Sequence, residues 1–149
     1  MRPIESRPRL HRPLLAGLCA SALLLGCGED PLGPENRFAL VAFGQCSYDQ
    51  ALMLAEQAVA SDNADHVERG LLLKAAILRD RGDTAAAEAL YPEIAAAWER
   101  ARDKPLKPSR REREIQLLLD IARAERRAKE LDPDCENVPQ NGPRPKPDA

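Results

Sequence analysis

Residues 65–98 read DHVERGLLLKAAILRDRGDTAAAEALYPEIAAAW. Asp65 stands three places before Glu68, the spacing of a helix-opening capping box. Val67, Leu71, Ala75 and Leu78 then recur at helical intervals. Gly82 supplies a stop, because glycine accepts the left-handed backbone that ends a helix. Asp83-Thr84 starts a second helix, with Ala87, Tyr91, Ile94 and Trp98 on one face. Pro92 falls inside that helix. It removes a backbone donor and crowds the preceding turn, so a kink is expected there. Two apolar faces joined by a tight turn make a helical hairpin, and this predicts an all-α fold.

The same signals extend outward. Ser47 and Gln50 form a second capping box, followed by Ala51, Leu54, Ala55, Ala58 and Val59 at helical spacing. Downstream, a Pro-containing loop over Asp103–Ser109 interrupts. Ser109 and Glu112 form a third box, opening a long helix to Leu131 with a wide apolar face of Ile115, Leu117, Leu118, Leu119, Ile121 and Ala122. Asp132-Pro133 ends it. Aromatic residues make up only 3% of the 149-residue chain, so the core must come from Ala and Leu, both strong helix formers. The helical domain is expected over 36–135. Before it, 27–35 reads as a tether of Gly, Pro and acids. After it, 136–149 is a Pro-alternating tail that cannot pack a core, expected to be disordered and to sample polyproline II.

The stretch Ala75–Ile94 resembles a tetratricopeptide repeat through Ala75, Leu78, Gly82-Asp83, Ala87 and Tyr91. In that family small residues sit where two antiparallel helices cross, since a larger side chain would push the backbones apart. An earlier copy runs from Ala39 and Ala42 through Tyr48, Ala51, Ala55 and Ala58, with its first helix over Asn36–Gln45. That reading overrides a weak strand alternation at Phe38–Phe43. Ala51 and Ala87 lie 36 residues apart, against a family period of about 34, so two extra residues belong near Ser61–Asp65. The resemblance implies stacked hairpins with the helix from Arg110 as a cap; a small helical bundle is the alternative. It also implies an Ala-lined groove between hairpins, suited to a partner helix or extended peptide.

The N-terminus carries a different message. Arg2, Arg7, Arg9 and Arg12 precede a charge-free run from Leu14 to Gly28 whose apolar core is Leu14–Leu25. This is the charged arm and short apolar stretch of a secretory signal. It falls short of the roughly 17–25 residues that a transmembrane helix needs. Leu24-Leu25-Gly26-Cys27 resembles the lipobox of bacterial lipoproteins. The resemblance implies cleavage between Gly26 and Cys27, lipid on the Cys27 sulfur and on the new amine, and stable membrane anchoring. An uncleaved anchor and cleavage without lipid are the alternatives. Leu25 is bulkier than that position usually holds. Gly28, where inner-membrane retention usually goes with Asp, implies the outer membrane, facing the periplasm.

With Cys19 lost in the signal and Cys27 lipidated, Cys46 and Cys135 remain. They bracket the helices, and an oxidising compartment favours one disulfide between them over two free thiols. Removing residues 1–26 leaves 18 basic and 23 acidic residues, a net charge of −5, which argues against nucleic acid. His66 is the single histidine after the signal and reads as solvated. Asp62, Asp65, Asp80 and Asp83 sit at helix ends as caps. We find no catalytic triad, phosphate loop or set of metal ligands, and expect no cofactor and no enzyme. The interaction candidates are Tyr91 and Trp98 with the basic run Lys104, Lys107, Arg110 and Arg111, which reads first as a solvated, salt-bridged loop. The expected function is a membrane-anchored interaction or assembly module with an envelope protein partner. The alternatives are a pilotin-like carrier of a secretion component, or a structural lipoprotein that binds cell wall or lipopolysaccharide through the basic loop.

Overall fold

In a computed structural model, residues 30–136 are described. They form six helices and no strand: α1 (Gly33–Gly44), α2 (Tyr48–Val59), α3 (Ala64–Arg81), α4 (Thr84–Ala89), α5 (Tyr91–Arg102) and α6 (Pro108–Ala128). The fold is all-α. The signal segment, Cys27 and the tail from 137 onward lie outside the described residues.

The helix boundaries follow local chemistry, though not always as the capping boxes predict. α3 opens at Asn63, whose side chain accepts from the Asp65 and His66 amides. Asp65 therefore lies inside the first turn, and Glu68 is free for another task. Gly82, at φ 93°, closes α3 in the left-handed conformation, and Asp83 caps α4 through the Ala86 amide. Ser47 stands at the N-cap of α2 without a side-chain cap bond. α6 begins at Pro108 with Lys107 at its N-cap, so the Ser109 box does not form; proline suits a first turn, where no amide donor is needed. α6 ends at Ala128 rather than Leu131, since Glu130 turns left-handed at φ 57°. α1 begins at Gly33, so the helical domain takes in part of the expected tether. At Pro92 the expected kink is a full break: α4 ends at Ala89, and α5 restarts with the proline in its first turn.

The helices pair as antiparallel hairpins. Tyr48, at the start of α2, bonds Asp80 near the end of α3, while Ala58 and Val59 at the end of α2 face Gly70 in the first half of α3. Tyr91 at the start of α5 bonds Arg79, and Arg102 at its end bonds Glu68. α1 runs in the same direction as α3, for Asn36 donates to the His66 carbonyl at 2.9 Å. Alanines let the backbones come close: Ala39, Ala51, Ala55, Ala58, Ala75, Ala76 and Ala87 are all fully buried. α3 is the central helix, and α1, α2, α4, α5 and α6 all pack on it.

α6 does not extend the stack beyond α5. It packs on α1 and α3 and runs in their direction, with Glu125 against Gly44 and Arg126 against the Phe43 carbonyl. The furrow between the two hairpins, expected to receive a partner helix, is filled by the chain's own last helix. Ile115, Leu119 and Ala122 are its apolar contribution. Arg126 is fully buried and pairs with Asp80 at 2.7 Å. It also donates to the carbonyls of Phe43 and Pro133, and its guanidinium lies 5.0 Å from the Phe43 ring centre. Beside it, Cys46 and Cys135 are bonded, 89 residues apart in sequence, with Cα atoms 5.7 Å apart. The bond ties the turn after α1 to the segment after α6, which closes the bundle.

Candidate interaction surface

The six interaction candidates gather where α5 meets α6. Tyr91 and Trp98 lie on α5, two turns apart. Lys104 and Lys107 stand in the connecting loop, and Arg110 and Arg111 in the first turn of α6. Trp98 shares a side with Ile94, but Ile94 is fully buried and Trp98 is half-buried. Guanidinium groups flank both rings. Arg111 sits 3.6 Å from the Tyr91 ring centre, and Arg102 and Arg110 each lie 5.7 Å from that of Trp98. Cations over aromatic faces are attracted by the ring quadrupole, so these arginines are held in place and keep part of each ring from water.

Most of these cations are also paired. Arg110 meets Glu114 at 2.7 Å and Arg111 meets Glu112 at 3.2 Å. Arg79 bonds both the Tyr91 hydroxyl and Glu112, the latter at 2.6 Å. Burial opposes ionisation of Glu112, but hydrogen bonds from Arg79 and Arg111, with their charges, outweigh it and hold its carboxyl below the ordinary value. Burial likewise opposes the charge on Arg79, and Glu112 and Tyr91 outweigh it, so Arg79 is held above its ordinary value. Lys104 and Lys107 are exposed, with no ion pair among the described residues. An open cleft of about 500 Å³ lies beside the Arg79–Glu112 pair, lined also by Arg113, Gln116, Leu117 and Asp120.

Three residues were misread from sequence. Glu68 is fully buried and receives Arg102 at 2.7 Å and 2.9 Å, so a residue taken for a capping partner joins α3 to the end of α5. His66 is half-buried rather than solvated: its Nε2 lies 3.0 Å from the Asp30 carbonyl, and its ring lies where a Cβ on Gly33 would stand. The sequence did carry one signal for the second, a glycine beside Pro34 at a helix start. Asp80, read as a capping acid, is the buried partner of Arg126.

No family model, no curated protein and no solved structure matches this chain. Among the described residues, no group of three or more His, Cys, Asp and Glu side chains is placed to hold a metal ion. No described helix is long and apolar enough to cross a membrane. The geometry is that of cations and aromatic rings beside an open cleft.

Proposed function

We propose that the chain is a bacterial lipoprotein, anchored through acylated Cys27 and facing the periplasm from the outer membrane, whose helical domain is an interaction and assembly module. The observation that carries this is the disposition of the cysteines. Cys46 and Cys135 are bonded to each other, a pairing that fits an oxidising, exported compartment. Cys27 then stands outside that bond at the end of a charge-free Leu14–Gly26 segment, in the sequence Leu-Leu-Gly-Cys. The hairpins fit the tetratricopeptide-like reading in direction and in their small-residue crossings. With α6 in the furrow, the surface offered to an envelope protein is the α5–α6 junction: Tyr91, Trp98, Lys104, Lys107, Arg110 and Arg111. Its unpaired lysines favour an acidic partner segment.

Cys27→Ser should abolish acyl labelling and leave unprocessed precursor. Processing and sorting like the unaltered chain would refute the anchor. Sucrose-gradient fractionation should place the protein with outer-membrane porins; recovery with inner-membrane markers would refute the sorting. Crosslinking in detergent-solubilised envelopes should capture a defined partner, and Lys104→Glu with Lys107→Glu should lose it. Capture unchanged by the double variant would remove the junction as the binding surface.

One further reading has a specific observation behind it. Asp30, the starts of α1 and α3 and the end of α5 share one end of the bundle, through Asn36–His66, His66–Asp30 and Arg102–Glu68. The basic loop therefore lies at the same end of the bundle as Asp30, three residues after Cys27 in sequence, and this is the end that would meet lipopolysaccharide phosphates. Loss of lipopolysaccharide binding in the same double variant, with partner capture intact, would select it.

A further inference from the structure

Four of the five large apolar side chains most exposed among the described residues lie on α1 and α6. Phe38 is 63% exposed, Val41 51%, Leu117 53% and Ile121 41%. Val41 and Ile121 meet across a cleft of about 170 Å³ whose other walls are Leu40, Ala122 and Glu125. Phe38 stands one turn before Val41 on α1, and Leu117 one turn before Ile121 on α6. Because the two helices run in the same direction, Phe38 and Leu117 lie on the same side of that cleft, toward the start of α1. Val41 and Ile121 thus share one cleft, and Phe38 and Leu117 flank it one turn toward the start of each helix; a cluster of exposed apolar side chains of this kind marks a docking site. Arg113 continues the Leu117–Ile121 stripe at helical spacing toward the start of α6. It is exposed and makes no ion pair among the described residues.

We infer that this patch rests on the surface of the membrane that holds the lipid, an inference that depends on the anchor proposed above. Chain length is the first argument. Gly33, the first residue of α1, stands six residue steps after Cys27, a span of at most about 20 Å fully extended. The start of α1 would therefore be held within that distance of the bilayer surface. Phe38 begins only five residues further on. Chemistry is the second argument. An apolar face bordered by arginine suits the boundary between headgroups and acyl chains of an anionic membrane. The patch turns that boundary into a fixed orientation for the whole domain.

The test uses the lipidated full chain in vesicles of phosphatidylethanolamine and phosphatidylglycerol. Tryptophan is placed singly at Phe38, Val41, Leu117 and Ile121, and as a control at Met53, which is 51% exposed on α2 outside the patch. All five positions face outward, so the substitutions leave the packing in place, and native Trp98 supplies a constant background. Lipids brominated on the acyl chain should quench the four patch tryptophans several-fold more strongly than the one at Met53. Uniform quenching at all five sites would overturn the inference. So would patch tryptophans untouched by bromolipid yet shielded from aqueous acrylamide, the sign of a second copy or a protein partner. Co-flotation with the vesicles is read separately: a chain that does not float removes the anchor, and the inference with it, whereas one that floats unquenched leaves the anchor standing.

Discussion

At the scale of single residues, the polar contact that matters most for the fold is Arg126 with Asp80. Both side chains are all but inaccessible, at 0% and 2% exposed, and the arginine also satisfies two backbone carbonyls in separate parts of the chain. Removing one member strands a buried charge, which costs about 3–5 kcal/mol. Arg126→Met should lower the unfolding free energy measured by urea titration by that much, and a change under about 1 kcal/mol would show that Asp80 finds other partners. Glu112 gives a pH signature. Its carboxyl titrates below the ordinary range in the folded chain, so its support is complete above the unfolded carboxylate range and is lost as pH falls through the depressed folded value. Glu112→Gln should flatten the acid limb of the stability profile there. The side chain is 43% exposed, so the effect is small and screened by salt. An unchanged acid limb would place the pair outside the stability balance.

At the scale of helices, the sharpest constraint is the crossing of α2 and α3. A Cβ on Gly70 would lie 3.0 Å from Val59, 3.1 Å from the Ala55 carbonyl oxygen and 3.2 Å from the Ala58 methyl. Alanine would improve helix propensity by about 1 kcal/mol. The crowded neighbours include backbone, which cannot swing aside, and overpacking costs about 1–3 kcal/mol. Gly70→Ala should therefore destabilise the domain despite its helix preference, as judged by thermal unfolding; a higher melting temperature would mean that the hairpin opens freely. The α4–α5 break obeys the same logic. Ala87 and Ile94 are both fully buried, and the missing Pro92 donor lets α5 restart against α3.

For the whole molecule, closure depends on the Cys46–Cys135 bond. It spans 89 residues, and chain-entropy arguments give roughly 4–5 kcal/mol as an upper figure for such a loop. At roughly 4–8 °C per kcal/mol, reduction should lower the melting temperature by more than about ten degrees. Circular dichroism in the cold should retain helix, since the α3 and α4 starts have their own caps. Hydrogen exchange should rise first in α6, which the bond holds over α1 and α3. Uniform loss of protection would instead mean that the bundle opens as one unit. The all-α class, the hairpin turn at Gly82-Asp83, a disturbance at Pro92 (expected as a kink, found as a break) and the pairing of Cys46 with Cys135 follow from the sequence, because periodicity, turn chemistry and cysteine parity are local or countable. The candidate residues Tyr91, Trp98, Arg110 and Arg111 were also legible there as an aromatic and basic set. Their pairing with Arg79, Glu112 and Glu114 was not, and neither were the burial of Glu68 and Asp80 or the seat of α6 in the furrow. Those depend on which helix faces which across dozens of residues. A charged residue looks the same in sequence whether water or a buried arginine will be its partner, and only the tertiary packing, by excluding the water, decides which.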